Sequence, residues 1–328
     1  DNSMGEFVWT GFDYIGEPAP FAGGSSKSSY FGSIDTCGFP KDSYYLIQSQ
    51  WLDVETDPMV HLLPHWNWEN DTSITYDDGT MPIRVYSNAR SVEVFLNGES
   101  LGMKSFTYHP ETETSLAYQD DGSEQENLYL EWRVPYVPGT VEAVAYDAEG
   151  NEIARDTMTT AGDPAALKLM PEETVITADG EDLCYIPVDV VDENGVMNPR
   201  ANVPIQFSIT GNGRIVGTDN GSPTDFTNMK STDRSSFHGK ALVIVQSTQK
   251  GGSFTLTATA PGLKSDSVTI FTAEEDYETD TLLGYEAVSV VTPVGVQPQL
   301  PETVTAVYLG GKTQPMGVTW DAIGGSKL

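Results

Sequence analysis

Residues 74–106 read ITYDDGTMPIRVYSNARSVEVFLNGESLGMKSF. Ile83 and Val85, then Val92, Val94 and Leu96, alternate with polar partners, the period-two pattern of strands that turn one face to a core. Asn97-Gly98 stands between Val92–Leu96 and Ser100–Lys104, and that dipeptide accepts the positive φ angles of a two-residue hairpin turn. Further short strands are expected at Leu128–Val134 and Val141–Tyr146, and Glu149-Gly150-Asn151 turns the chain into Glu152–Thr159. Six or seven strands at this spacing, with no helix between them, predict a β-sandwich at about 53–161.

Past the break Ala161-Gly162-Asp163-Pro164 the pattern repeats. The strands are rich in Val, Ile, Thr and Phe and are parted by Asp-Gly, Asn-Gly and Pro-Gly pairs. A second, immunoglobulin-like sandwich of about seven strands is predicted at about 164–272. An acidic linker, AEEDYETD at 273–280, carries too little apolar surface to form a core. Residues 281–328 read as a few strands with Gly-Gly turns, short of a full sandwich, and are expected to be a truncated domain. No repeat of fixed period runs through the three stretches.

The grammar before Asp53 is different. Gly5–Trp51 holds GEFVWTGFDYIGEPAP, a Gly/Ser-rich stretch read as a linker, then SSYFGSIDTCGFPKDSYYLIQSQW. Phe7, Val8 and Trp9 form a short apolar run without alternation, the signature of a strand buried on both faces. A long loop follows, then a helix with Asp42 as its N-cap and a mixed apolar face of Tyr44, Tyr45, Ile47, Gln48 and Trp51. Buried strand, loop and covering helix make one unit of a (β/α)8 barrel, so residues 1–52 are read as the C-terminal end of such a barrel. The fold class expected is therefore mainly β: tandem immunoglobulin-like β-sandwiches preceded by the last strand–loop–helix of a (β/α)8 barrel. Without the neighbouring barrel strands, Phe7, Val8 and Trp9 are expected to be exposed or to pack on the first sandwich.

The formal net charge is −31, from 48 acidic and 17 basic residues. Such a surface repels a phosphate backbone and an anionic bilayer, so neither nucleic acid nor membrane insertion is expected. A neutral sugar is compatible with it, and so is solubility alone. Cys37 and Cys184 form no disulfide framework.

Trp9, Phe12, Tyr14 and Phe21 lie where a barrel strand gives way to its loop, the end at which such barrels bind. An aromatic face beside Asp13, Glu17 and Tyr30 suits a pyranose, whose C–H face stacks on a π-face while its hydroxyls seek acceptors. From composition alone, barrel core is the plainer reading of Trp9. Glu6, Asp13, Glu17 and Asp35 raise the question of a catalytic carboxylate pair, but all four surround one strand–loop unit and none can be placed across a substrate. His61 and His65 have helical metal-pair spacing, yet Pro64 lies between them and no further ligand is near, so no metal is expected. Trp66 and Trp68, at i and i+2, would share one face of a strand, as a carbohydrate platform or as packing between barrel and sandwich. Asp77-Asp78-Gly79 and Asp219-Asn220-Gly221 read as hairpin turns rather than calcium loops.

FVWTGFDYIGEP, followed by SSYFG, IDT, GFPKD and QSQW, resembles the end of the catalytic barrel of glycoside hydrolase family 2 β-galactosidases. PMVHLLPHWNWE with VYSNARSVEVFLNGESLG resembles the first sandwich after that barrel. The stretch from Ala166 is similar to a further immunoglobulin-like domain of the same enzymes, and that from about Val288 to bacterial Ig-like repeats. The resemblance implies a C-terminal portion of a retaining β-galactosidase from a bacterium, extracellular or at the cell surface, needing no cofactor. Its catalytic glutamates would lie on earlier strands, leaving no catalytic residue in this chain and predicting inactivity alone. The substrate would be a terminal β-galactoside, held by the full barrel, against which residues 1–52 would pack. Substrate-binding candidates carried over are Trp9, matching a tryptophan that lines the galactosyl site, Asp13, in the same motif, and Phe31. In glucuronidases of the family an Asn-x-Lys motif reads the sugar carboxylate just before the glycine equivalent to Gly32. Here those positions are Ser29, Tyr30 and Phe31, which argues for a neutral sugar. The rival expectation is a carbohydrate-binding or spacer module, with Trp66, Trp68 or Trp132 exposed.

Overall fold

The computed structural model describes residues 7–16, 21, 24–108, 116–119, 126–273, 282–286, 288, 290, 299–308 and 313–320. A helix, α1 (Asp42–Trp51), precedes the first sandwich. That sandwich runs β1 (Val60–Leu63), β2 (Thr80–Ser87), β3 (Ser91–Leu96), β4 (Glu99–Ser105), a small three-stranded sheet β5 (Thr107–Tyr108), β6 (Leu116–Gln119) and β7 (Glu126–Asn127), then β8 (Leu130–Pro135), β9 (Thr140–Tyr146) and β10 (Glu152–Thr159). Its faces are the sheets β1-β2-β8 and β10-β9-β3-β4. Period-two alternation places Met81, Ile83 and Val85 of one sheet against Val92, Val94, Val141, Ala143 and Ala145 of the other, all at most 2% exposed. The hairpin at Asn97-Gly98 forms as expected, with φ of 53° and 81°.

The second sandwich runs β11 (Ala166–Leu169), β12 (Val175–Thr177), β13 (Leu183–Val191), β14 (Pro204–Gly211), β15 (Gly213–Asp219), β16 (Asp233–Ser235), β17 (Lys240–Ser247), β18 (Gly252–Thr259) and β19 (Asp266–Ala273). Sheets β11-β13-β17-β15 and β12-β19-β18-β14-β16 enclose one core. Cys184, Ile186, Val188 and Val190 alternate inward from β13 to meet Phe254, Leu256 and Ala258 of β18. Beyond it, β20 (Leu282–Tyr285), β21 (Thr303–Tyr308) and β22 (Thr313–Gly317) make a three-stranded antiparallel sheet. The Gly-Gly turn expected between the last two lies outside the described residues.

The two sandwiches meet through a fastened joint. Asn67 exchanges hydrogen bonds with Ala161 in both directions, at 2.8 and 3.0 Å. Gly162 donates to Asp192 and its carbonyl accepts from Asn198, both at 2.8 Å. Arg200 donates to the Asn67 carbonyl, pairs with Asp71 at 2.7 Å and lies 4.3 Å over the Trp68 ring. Trp66 and Trp68 do not share a strand face: β1 stops at Leu63, where Pro64 removes a ladder donor. Trp66 instead enters the first core, donating to the Val137 carbonyl at 2.9 Å, while Trp68 stacks between His65 and Arg200 at the joint. Trp132 is also core, at 4% exposed.

Helix α1 begins at Asp42 rather than after it. Lys41 holds the cap position with no side-chain capping bond, and Asp42 places its carboxylate in the first turn, near the positive end of the helix dipole. The helix docks on the first sandwich through Tyr45, stacked 3.7 Å from His61, whose ring lies between Asp42 and Asp156. His61 therefore serves packing and polar contact with the helix. Among the described residues no helix is long and apolar enough to cross a membrane.

Candidate functional site

The segment before α1 departs from the rest of the molecule in what it leaves exposed. Phe7 is fully exposed, Trp9 73% and Phe12 59%, while Tyr44, Trp51 and Phe31 are also exposed. Of the two outcomes expected for Phe7–Trp9, exposure is the one observed. Trp9 meets Tyr14 edge-on at 6.2 Å, and Tyr14 meets Phe31 edge-on at 6.0 Å. Two candidates, Trp9 and Phe31, are thus brought together as ends of one aromatic row, joined by Tyr14. Such a row offers π-faces and edges to the C–H face of a pyranose.

A closely bonded ribbon holds the row. Ser33 and Ile34 donate backbone N–H groups to Thr10 and Gly11, Asp13 donates to Ile34, and Ser29 donates to Tyr14, at 2.8–3.2 Å. Asp13, the third candidate, is 7% exposed, and both carboxylate oxygens are engaged. Oδ1 accepts from the Gly32 amide at 2.8 Å, and Oδ2 pairs with Lys41 Nζ at 2.5 Å. Gly32 is required by this approach: a Cβ there would stand 2.3 Å from the Asp13 amide nitrogen. The strand expected at Phe7–Trp9 does not form; before α1 the described residues hold only isolated bridges, such as Phe12 to Ile34 and Ile15 to Ser28. Asp13 therefore clamps the stretch 11–14 to the loop through Gly32, the residue after Phe31. Lys41, which no sequence pattern marked as a site residue, also donates to the Tyr30 carbonyl at 3.0 Å, so its ammonium joins Asp13 to the loop.

The stretch read as a Gly/Ser linker is part of this structure. Ser26 in it is 8% exposed, and Ser28 and Ser29 just after it are 1% and 0% exposed. Small side chains are needed there because the backbone lies close to two other segments, the one at Tyr14 and the second sandwich. Lys27 donates its amide to the Pro223 carbonyl at 2.7 Å and pairs with Asp219 at 2.7 Å. Asp219-Asn220-Gly221 is accordingly no hairpin turn; it starts at the last residue of β15 and receives the loop. Asp35 is likewise committed, its Oδ1 accepting from the Cys37 and Phe39 amides at 2.8 and 3.0 Å. Burial pushes the Asp35 carboxyl above its ordinary range, against those two N–H donors. Burial also drives the Cys37 thiol up, helped by the charges of Asp219 and Asp35, which disfavours its thiolate. Asp77-Asp78-Gly79 does form a turn, with Asp78 accepting from the Thr80 amide.

Of the four carboxylates considered for catalysis, Glu6 and Glu17 lie outside the described residues. Asp13 and Asp35 are fastened by the bonds just described. Among the described residues no cluster of three or more His, Cys, Asp or Glu side chains could hold a metal ion. Behind the loop opens a cleft of about 530 Å³, lined by Tyr30, Phe39 and Lys41 from the loop, His65 from the first sandwich, and His238 and Lys240 from the second. His65, stacked on Trp68 and accepting at Nδ1 from the Asn67 amide, has its pKa lowered to about 4 by burial and by the charges of Arg200 and His238.

Comparison with known proteins matches the regions just described. Residues 167–269 match glycoside hydrolase family 2 C-terminal domain 5, residues 78–154 a domain of unknown function (DUF4982), and residues 285–327 a bacterial Ig-like domain of group 4. Beta-galactosidase BoGH2A of Bacteroides ovatus is 42% identical over 275 residues, covering 84% of this chain and 29% of that protein. A putative beta-glucuronidase of Formosa agariphila is 34% identical over 249 residues, covering 74% of this chain and 21% of that protein. The crystal structure of a beta-glycosidase from Bacteroides vulgatus superposes with a TM-score of 0.68 at 33% identity, covering 82% of this chain and 31% of that one. The chain thus spans less than a third of the length of each of these three relatives. With its matching domains, its sandwich fold and its structural neighbour taken together, the chain carries a C-terminal domain of glycoside hydrolase family 2 and fits a C-terminal part of a protein of that family.

Proposed function

We propose that these residues are the C-terminal portion of a retaining β-galactosidase and supply one wall of its sugar site. The observation that carries this reading is the exposed row Trp9–Tyr14–Phe31, fixed from behind by the buried clamp of Asp13, Gly32 and Lys41. A rigid aromatic wall orients a pyranose and excludes water from one side of the scissile bond. Bond cleavage would fall to a glutamate acid/base and a glutamate nucleophile on other barrel strands, through a glycosyl-enzyme intermediate.

Relatives of this chain are named for both galactosides and glucuronides, and the residues favour the former. A uronate needs a cation for its carboxylate. At the position where the glucuronidase lysine would stand, this chain has Phe31, and the nearby Lys41 is already bound to Asp13 and to the Tyr30 carbonyl. The setting is a bacterial enzyme acting outside the cell or at its surface, with the sandwiches packed behind the barrel. A separate carbohydrate-binding role for the sandwiches has no comparable support, since Trp66 and Trp132 are buried and Trp68 is half-buried, stacked with His65 and Arg200.

The reading is tested by assaying the purified chain on a chromogenic β-galactoside. No turnover above blank is expected, and measurable turnover would refute the assignment of catalysis to residues outside this chain.

A further inference from the structure

The loop that carries Phe31 is fastened at two places that belong to different parts of the fold. Its inner end is clamped by Asp13, and its outer side rests on the second sandwich. Asp219 is the centre of that outer attachment. Its Oδ1 accepts from Lys27 Nζ at 2.7 Å and from the Asn220 amide at 2.9 Å, and its Oδ2 accepts from Thr36 Oγ1 at 3.0 Å. The Lys27 and Asp219 side chains are 11% and 10% exposed, so this is an ion pair largely removed from solvent. Beside it, Gly221 at φ +74° stands so close to Asp35 that a Cβ would lie 2.1 Å from Oδ2. Lys240 of β17 lies 5.5 Å over the Phe39 ring. Asp219 and its neighbours are themselves held by a buried device. Arg234 of β16, 1% exposed, donates to the Thr218 carbonyl at 2.7 Å and to the Asn228 carbonyl at 3.1 Å, and it pairs with Asp225 at 2.9 Å. Asp225 in turn accepts from Asn220 at 2.8 Å.

From this geometry we infer that Asp219 of the second sandwich is a positioning residue for the sugar site: it holds the Ser26–Lys41 loop, and so Phe31, in the place where the sugar stacks. The second sandwich is then a working part of the site rather than a spacer. The inference rests on the proposed sugar-site role of the Trp9–Phe31 row. The chemistry is suited to the task. A spacer needs no charged groups withdrawn from water against a distant loop, and such a pair is costly unless its geometry is complete, as it is here. The contact also spans 192 residues of chain, so it ties the last domain but one to the first segment described.

The test uses Asp219→Ala and, because that variant could disturb β15, also Lys27→Ala, which lies on the loop and leaves the sandwich intact. Amide hydrogen exchange on the full chain reads the loop directly. Exchange at Gly32, Ser33 and Ile34 is expected to quicken at least about ten-fold in both variants, while amides of β13 and β18 keep wild-type protection. Gly221→Val reaches the same end by sterics and is expected to give the same pattern. In the enzyme that carries the whole barrel, Lys27→Ala is expected to raise KM for a β-galactoside several-fold with little change in melting temperature, and Lys27→Arg is expected to recover most of the loss. Unchanged loop exchange in both Asp219→Ala and Lys27→Ala overturns the inference, and so does a loosened loop with unaltered KM. Absence of any β-galactoside hydrolysis by the wild-type enzyme would instead sink the galactosidase reading, leaving the exchange experiment to judge the brace by itself.

Discussion

The second sandwich and the Phe7–Trp51 segment dispose of their large apolar side chains in opposite ways. In the sandwich, Phe254, Leu256, Ile186 and Ile270 are at most 1% exposed and interdigitate between two sheets of the same domain. In the segment, Phe7, Trp9, Phe12, Ile15 and Trp51 are each more than half exposed, and order comes from hydrogen bonds and ion pairs to other parts of the chain. The first region is stable through its own burial, at roughly 1.5–3 kcal/mol for each large side chain fully withdrawn from water. The second is held in shape by the Asp13–Lys41 clamp, the Asp219 brace and the Tyr45–His61 stack, and it presents rather than buries its aromatics. A surface of that kind marks a place where something else is meant to sit.

Substitutions should separate the two regions sharply. Phe254→Ala opens a cavity in a closed core and is expected to lower global stability by about 3–5 kcal/mol in chemical denaturation. A loss under about 1 kcal/mol would mean that the sandwich is not the source of stability. Lys41→Met leaves the Asp13 carboxylate without its cation, at 3% side-chain exposure. Its expected cost is about 2–3 kcal/mol, confined to the loop. Trypsin should then cut at Lys27 well before the sandwiches unfold, and equal protection of Lys27 in wild type and variant would contradict the clamp.

Acid should act on the joint between the sandwiches. The His65 pKa is lowered from 6.5 to about 4, so the unfolded chain binds this proton more readily than the folded one. The stability it contributes is complete above pH 6.5 and is lost as the pH falls from there toward 4. Allowing for solvent screening of a partly exposed group, the change is about 1–2 kcal/mol. His65→Gln should flatten the dependence of melting temperature on pH in that window, and an unaltered slope would show that the ring is not held neutral. Smallest of all, Trp9→Ala should move stability by less than about 0.5 kcal/mol, because an exposed side chain has little burial to lose.

The contrast also explains what the sequence could reveal. Sandwich strands are local, period-two objects, so Met81, Ile83, Val92 and Val94 disclose their sheet faces directly, and Asn97-Gly98 discloses its turn. Trp66 and Trp68 misled because i, i+2 spacing implies a shared face only while the strand continues, and Pro64 ends it. Lys27 and Asp219 were illegible for a different reason. Each has a bland local reading, a charge among serines and a turn aspartate, and their meaning depends on a contact across 192 residues. Family resemblance pointed to Trp9, Asp13 and Phe31, but side-chain geometry was needed to separate a clamp from an exposed wall.

Most direct is a comparison made in the enzyme that carries the complete barrel, with kcat/KM measured on matched chromogenic β-galactoside and β-glucuronide for wild type and Trp9→Ala. The expected result is a preference for the galactoside of about 100-fold or more, as for a site lacking a cation to pair with a uronate, and a fall of about 10–100-fold in galactoside kcat/KM on removal of Trp9 at unchanged melting temperature. A preference for the glucuronide, or a Trp9→Ala enzyme as active as wild type, would contradict the assignment of the Trp9–Phe31 row to a galactoside site.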